Sequence, residues 1–297
     1  MRALAEFIMR GRMQATLVVV GSAALPLLFW LSAAASSLVL LRRGPRDAVG
    51  ILAWAVLPAL GWWHFGDPRV LLVMLGTLSL ALLLRAGWSW VRVLLASIAL
   101  GLVYGVTLGA VFSQPINELA AELHKLMPQM FDGVYQKMSV DEQTRLQALV
   151  APVLTGLMAA LLQIVSLLCL MLGRYWQAAL YNPGGFGLEF RALRLPPALA
   201  FGLLAVIVLG PNLGLELAML TPLCSVPLVF AGVALLHGLA ASGRLGRFWL
   251  VGLYVSLLLF LQLIYPLLVV LAIVDSLIDF RGRRARNNGA GPANGEG

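Results

Sequence analysis

Few residues in this chain carry reactive chemistry. His64, His124 and His237 are far apart in the sequence. A tetrahedral metal centre needs three or four converging ligands, so no metal site is expected. Cys169 and Cys224 each lie inside an apolar block and read as buried thiols rather than a disulfide pair. The spacings HExxH, Gly-x-Ser-x-Gly, Cys-x-x-Cys and Gly-x4-Gly-Lys-Ser/Thr are absent from the sequence, so metalloprotease, serine-nucleophile, dithiol and NTP-binding chemistry have no support. The expectation is a protein that is not an enzyme and uses no cofactor. What remains is polar residues inside or beside apolar runs: Gln163, Glu216, Gln262, Asp275 and Asp279. Ionisable groups within a bilayer are functional candidates by default, but Asp275 and Asp279, one turn apart beside Arg281, equally fit a helix end leaving the membrane. Gln163 and Gln262 suit hydrogen bonding between helices.

Two further patterns have physical content. Residues 174–197 read RYWQAALYNPGGFGLEFRALRLPP, combining three arginines with rings that favour the headgroup layer. Within it Tyr181, Asn182, Pro183, Gly184, Gly185 and Phe186 carry a turn signal. Asn before Pro is excluded from the helical region, and glycine accepts positive φ. Two amphipathic arms are expected to meet there, as a docking or gating loop or as an interfacial connector. The second pattern is Ser97, Gly101, Gly105 and Gly109, four apart and therefore on one helix face, which lets two backbones approach closely. That face serves packing within the chain or a dimer interface.

The elements that must position these residues follow from hydropathy. The chain has 297 residues, 61% hydrophobic and 11% charged, with a mean hydropathy of +0.91. That is too little polar sequence to cover a soluble globule, so the fold class is an all-α polytopic transmembrane helical bundle, with the lipid bilayer as its surroundings. The net charge of +8 sits in short runs at the ends of apolar blocks, which is a topology signal and excludes a nucleic-acid partner.

In chain order, a run over residues 13–41 contains Pro26 and an Ala33-Ala34-Ala35 stretch that faintly resembles a signal-peptidase site; an uncleaved anchor is the expectation. The run would be roughly 43 Å as one helix and about 21 Å per half if broken. Residues 48–63 and 70–84 form a membrane hairpin. Residues 93–112 follow. Residues 113–148 form an amphipathic helical insertion interrupted at Pro128, with a capping box at Ser139 and Glu142 opening the next helix, which continues to residue 172. His124 there reads as solvated. Residues 198–210 and 215–236 are two apolar segments, the second broken by Pro222 and Pro227. The last block, 249–278, contains Pro266. Residues 1–280 are read as one integral membrane domain, and 281–297 as a basic then disordered tail.

Charge completes the topology. Placing the N-terminus, 42–47, 85–92, 174–196, 238–247 and the tail on one side collects 17 of the 21 lysines and arginines there. That side is expected to be cytoplasmic and 113–148 periplasmic. Both long blocks must then enter and return on the same side, giving two proline-broken hairpins or re-entrant elements around six crossings. Ordinary kinks in tilted helices are the alternative reading of the prolines.

The run RYWQAALYNPGGFGLEFRALRLP, together with a proline-broken first block ending in LRRGPRDA, resembles the YybS-like family of bacterial membrane proteins in its pseudomonad-type form. That family is distantly similar to the substrate-binding (S) components of energy-coupling-factor transporters. The resemblance implies an inner-membrane location, a small-molecule ligand and an ATPase module or other membrane protein as partner. It covers most of the chain, and the NPGGF turn is its specific part. Two functional classes follow: an S-component-like transporter subunit, or a non-transporting scaffold or envelope assembly factor.

Overall fold

A computed structural model describes residues 2–131, 133–243 and 246–280. Among these residues the chain is all-α, with thirteen α-helices and no strand. They are α1 (Arg2–Arg10), α2 (Arg12–Ala23), α3 (Phe29–Arg43), α4 (Pro45–His64), α5 (Arg69–Arg85), α6 (Trp90–Val111), α7 (Ser113–Met130), α8 (Val140–Tyr181), α9 (Gly185–Ala192), α10 (Pro197–Leu213), α11 (Leu220–Ala241), α12 (Arg247–Leu259) and α13 (Leu261–Ile278). Four of them, α6, α8, α13 and residues 216–241 with α11, are long and apolar enough to cross a membrane. The pair α9 and α10, bent by 67°, makes a fifth span if taken together. The six expected crossings are therefore not all met. The 17-residue α5 is about 26 Å long against a core of about 30 Å, and α4 carries Arg46, Asp47 and Pro58 in its 20 residues.

The described residues form two compact units, 1–187 with 205–226, and 188–204 with 227–297. Their boundaries fall inside α9, α10 and α11, where no linker composition marks them.

In the first unit the long first block does fold back on itself. Pro26 sits in the turn between α2 and α3, and Ser32 Oγ of α3 donates to Val19 O of α2 at 2.8 Å. α3 is the centre of this unit: every residue from Ser32 to Leu41 is buried. Its run Ser-Ala-Ala-Ala-Ser-Ser explains why. Small side chains on all sides let neighbouring helices approach closely, so the stretch that resembles a cleavage site is a packing surface. α8 lies parallel to α3. Cys169 Sγ donates to Trp30 O at 3.3 Å, a Cβ at Gly173 would lie 2.9 Å from Ala34 O, and Gln177 Nε2 donates to Leu41 O at 3.3 Å.

α8 is one helix of 42 residues, opened by the capping box at Ser139 and Glu142 with both halves formed. It runs nine residues past its expected end. Arg174 to Tyr181 are therefore its last two turns, and the loop begins only at Asn182. Pro128 does not interrupt α7, which continues to Met130. His124 is held by Gln147 O, 2.9 Å from its Nε2, rather than free in solvent.

Three more prolines, Pro222, Pro227 and Pro266, do not break the helices expected to end at them. Pro222 is the third residue of α11, where an N–H would be unpaired anyway, so it starts the helix instead of breaking it. Pro227 lies within α11 without ending it. The last block breaks at Phe260 and not at Pro266, which is inside α13. In the second unit, Tyr254 of α12 lies 3.2 Å from His237, a Cβ on Gly232 would collide with Leu268 O, and Arg194 reaches Asp275. Pairings in that order describe a block that enters and returns.

Candidate functional site

The small-residue face of α6 and the buried Gln163 of α8 meet. Gln163 is fully buried; its Nε2 donates to Ser97 Oγ at 2.8 Å and to Leu223 O at 3.4 Å. A Cβ at Gly101 would stand 2.6 Å from Leu223 Cδ2 and 3.0 Å from Gln163 Oε1, and one at Gly105 would collide with Met219 Sδ. At Gly109 the nearest atom is Thr155 Cγ2, 3.8 Å away. Gly156 on α8 faces the same element, with Met219 O 2.5 Å from its Cβ position. Three backbones thus converge through Gly101, Gly105 and Gly156, and the face expected for packing or dimerisation is filled from within the chain.

The reason for a glutamine at 163 lies in the proline four residues after Leu223. Pro227 has no N–H to return to Leu223 O, which leaves a carbonyl that hydrocarbon cannot solvate. Gln163 supplies the donor. The same solution recurs at Pro211, whose missing N–H frees Ile207 O; Thr221 Oγ1 donates to it at 3.2 Å. Gln163 Oε1, Ser36 Oγ and Trp176 Nε1 are buried without hydrogen-bond partners among the described residues.

A second buried polar group was not legible in the sequence. Tyr104 OH lies 3.0 Å from Leu72 O and 2.8 Å from Ser166 Oγ, and Thr77 Oγ1 donates to Ser166 O at 3.3 Å. Gly76 admits it, since a side chain there would collide with the phenol oxygen.

At the turn, Gly184 has φ +85° with open space around it, so backbone conformation and not crowding demands glycine. Gly185 lacks a positive φ, but a Cβ there would run into the Asn182 side chain. Gly185 N–H donates to Asn182 O at 3.0 Å across Pro183 and closes the turn. Phe186 meets Trp90 and Tyr175 edge-on, with centroids 6.0 and 6.4 Å apart, and the Arg42 guanidinium sits 3.9 Å over the Tyr181 ring. The rings therefore pin the turn to the ends of α3, α6 and α8.

In the second unit Asp275 is buried, and its Oδ1 accepts the Phe280 N–H at 3.2 Å. Arg194 donates to Asp275 O at 3.1 Å and Ser276 O at 2.9 Å, and pairs with Asp279 at 3.2 Å. Asp279 takes a left-handed conformation, φ 50°. This is a capped helix end. Gln262 is exposed in the first turn of α13, several turns before Asp275 on the same helix. The residues singled out by sequence thus fall into four places, and Gln163 joins the Ser97–Gly109 face.

Arginine has a role that charge counting hid. Arg85 caps α3 at Leu40 O and Leu41 O (3.2 and 2.7 Å), Arg43 caps α1 at Met9 O (2.7 Å), and Arg145 caps α10 at Pro211 O and Asn212 O (3.3 and 3.2 Å). In the first unit these contacts, with Arg12 paired to Asp47, gather residues 9–12, 40–47, 85 and 174–181 at one end.

Fold and site together define an all-α helical bundle with helices of membrane-spanning length, in which side chains bond carbonyls that prolines leave free. No family model matches the chain, and no curated protein or solved structure matches it.

Proposed function

We propose that this chain is a non-catalytic, multi-pass bacterial inner-membrane protein of YybS-like type, acting as the substrate-binding subunit of a transporter in the manner of an S component. Both termini and the Asn182–Gly185 turn face the cytoplasm, and α7 faces the periplasm. The observation that carries the reading is the α2–α3 hairpin. Its arms are 12 and 15 residues, about 18 and 22 Å, too short to cross a core of about 30 Å. Yet α3 is the most enclosed helix of its unit. Broken, buried half-helices of this kind line binding sites in secondary transporters. Gln163 Oε1 and Ser36 Oγ, buried without partners among the described residues, are the polar atoms offered to a small molecule in that unit.

A scaffold or envelope assembly factor is the second reading, favoured by α7. That helix buries Ile116, Ala120 and Met127 but leaves Leu119, Leu126 and Met130 exposed, an apolar stripe for another protein.

Native mass spectrometry of the full chain, extracted in mild detergent, separates the two. A retained small molecule or a co-purifying ATPase module is the expected result. An empty protein accompanied by envelope-assembly proteins would replace the first reading with the second.

A further inference from the structure

Among the described residues, the gathered basic end holds more arginines than carboxylates. Segments 1–12, 42–47 and 85–92 contain eight arginines against two carboxylates, Glu6 and Asp47. Both carboxylates are engaged, Glu6 by Arg2 and Asp47 by Arg12. Arg42, Arg43 and Arg85 crowd the C-terminus of α3, and the described contacts give them carbonyls and a ring but no carboxylate. The helix dipole there offsets about half a unit charge. About two and a half charges remain.

The geometry of two of these guanidinium groups is specific. Arg85 spends Nη1 on Leu40 O and Leu41 O, which fixes its plane against Gly44: a Cβ on that glycine, φ +94°, would stand 3.0 Å from Arg85 Nη2. The Arg42 guanidinium carbon sits 3.9 Å over the Tyr181 ring, which holds the group at the end of α3. Both residues are exposed. Guanidinium edges held in this way match the oxygens of a phosphate. The depth is set by the helix ends and by the rings beside them, Trp88, Tyr175 and Tyr181, which are 41, 48 and 45% exposed and prefer the headgroup layer.

We propose that Arg42 and Arg85, at the C-terminus of α3, seat the phosphodiester of an anionic phospholipid. The ligand chemistry is a phosphate monoanion, and its source is the lipid headgroup because the seat opens among interfacial rings at the ends of apolar helices. This goes beyond the transport reading and needs only that the helices lie in a bilayer. Bound lipid would tie the α3 terminus to α5 and α8 through the two arginines.

The test is native mass spectrometry of the full chain with equimolar phosphatidylglycerol and phosphatidylcholine, alongside a melting curve for each variant. The wild type is expected to retain phosphatidylglycerol preferentially. Arg42→Gln leaves the Arg85 and Arg43 caps intact, so it is expected to fold while losing about fivefold in that retention. Arg46→Gln and Arg92→Gln remove exposed charges at the same end without touching α3's terminus, and should change it less. Equal retention of the two lipids would overturn the proposal even if a variant failed to fold. An equal loss in all three variants would mean a diffuse field and no seat. Stabilisation by inorganic phosphate equal to that by phosphatidylglycerol would assign the seat to a free anion instead of a lipid.

Discussion

Replacing Gln163 by methionine keeps the volume of the side chain and removes its donor. Leu223 O then has no partner, because Pro227 cannot donate to it. An unsatisfied buried carbonyl costs about 1–3 kcal/mol, while measured side-chain hydrogen bonds between membrane helices average about 0.6 and reach about 1.7. Two features of the site place the expected loss near the lower figures. The bond to Leu223 O is long at 3.4 Å, and Gln163 Oε1 is already unpaired, so methionine also removes a buried polar atom. Ser97 Oγ keeps its own acceptor, Leu94 O, at 2.6 Å. Gln163→Met should therefore destabilise by about 1 kcal/mol. The diagnostic comparison is the same substitution in a Pro227→Ala background, where residue 227 regains an N–H for Leu223 O. There the cost should fall to about zero, a coupling of about 1 kcal/mol. Reversible unfolding in mixed detergent micelles measures all four proteins of the cycle. An equal cost in both backgrounds would show that Gln163 does not serve the carbonyl freed by Pro227, and the account of the site would fail.

Gly105→Leu should lower the melting temperature without altering oligomeric state, because its Cβ meets Met219 of the same chain; a changed oligomer with unchanged melting would place that face between subunits. Thr221→Val should cost about 1 kcal/mol, and less in a Pro211→Ala background, by the same cycle. Gly184→Val forces a β-branched residue to φ +85°, roughly 1 kcal/mol or more of strain. Limited proteolysis should then cut at the turn while the helices stay protected, and an uncut turn would refute this. Hydrogen bonds from Arg69 hold the Asp67 carboxyl below its ordinary value of 3.8. A lowered folded-state value makes their contribution complete above about pH 4 and lost as pH falls through it. Asp67→Asn should accordingly weaken the protein at neutral pH and converge with wild type in acid.

What the sequence reveals and what it hides divide along physical lines. The capping box at Ser139 and Glu142 is local, and local chemistry is readable from a few residues. The Pro26 hairpin is readable too, because a run too long for one crossing carries a residue that cannot continue a helix. The break at Phe260 is not, since it lies six residues before Pro266, in an apolar stretch with no turn residue to mark it. Gln163 stood out as a polar residue in apolar surroundings, but its partner is a carbonyl, and carbonyls are the same at every position. Only pairing each proline with its i−4 residue would have pointed to Leu223 and Ile207. The arginine caps were hidden for a related reason: as topology signals and as C-caps the residues occupy the same helix ends. Tyr104, Ser166 and Thr77 sit far apart in the chain and converge only when α5, α6 and α8 are packed.

The central claim is that α8 carries the chain across the bilayer, with the Asn182–Gly185 turn and the gathered arginines on the cytoplasmic side. Cysteine accessibility tests it most directly, using Gln136→Cys and Pro183→Cys in a background where the buried Cys169 and Cys224 are replaced by alanine. A membrane-impermeant maleimide added to intact spheroplasts should label position 136 at once and position 183 only after permeabilisation. Labelling of both positions from the outside, or of position 183 alone, would contradict it.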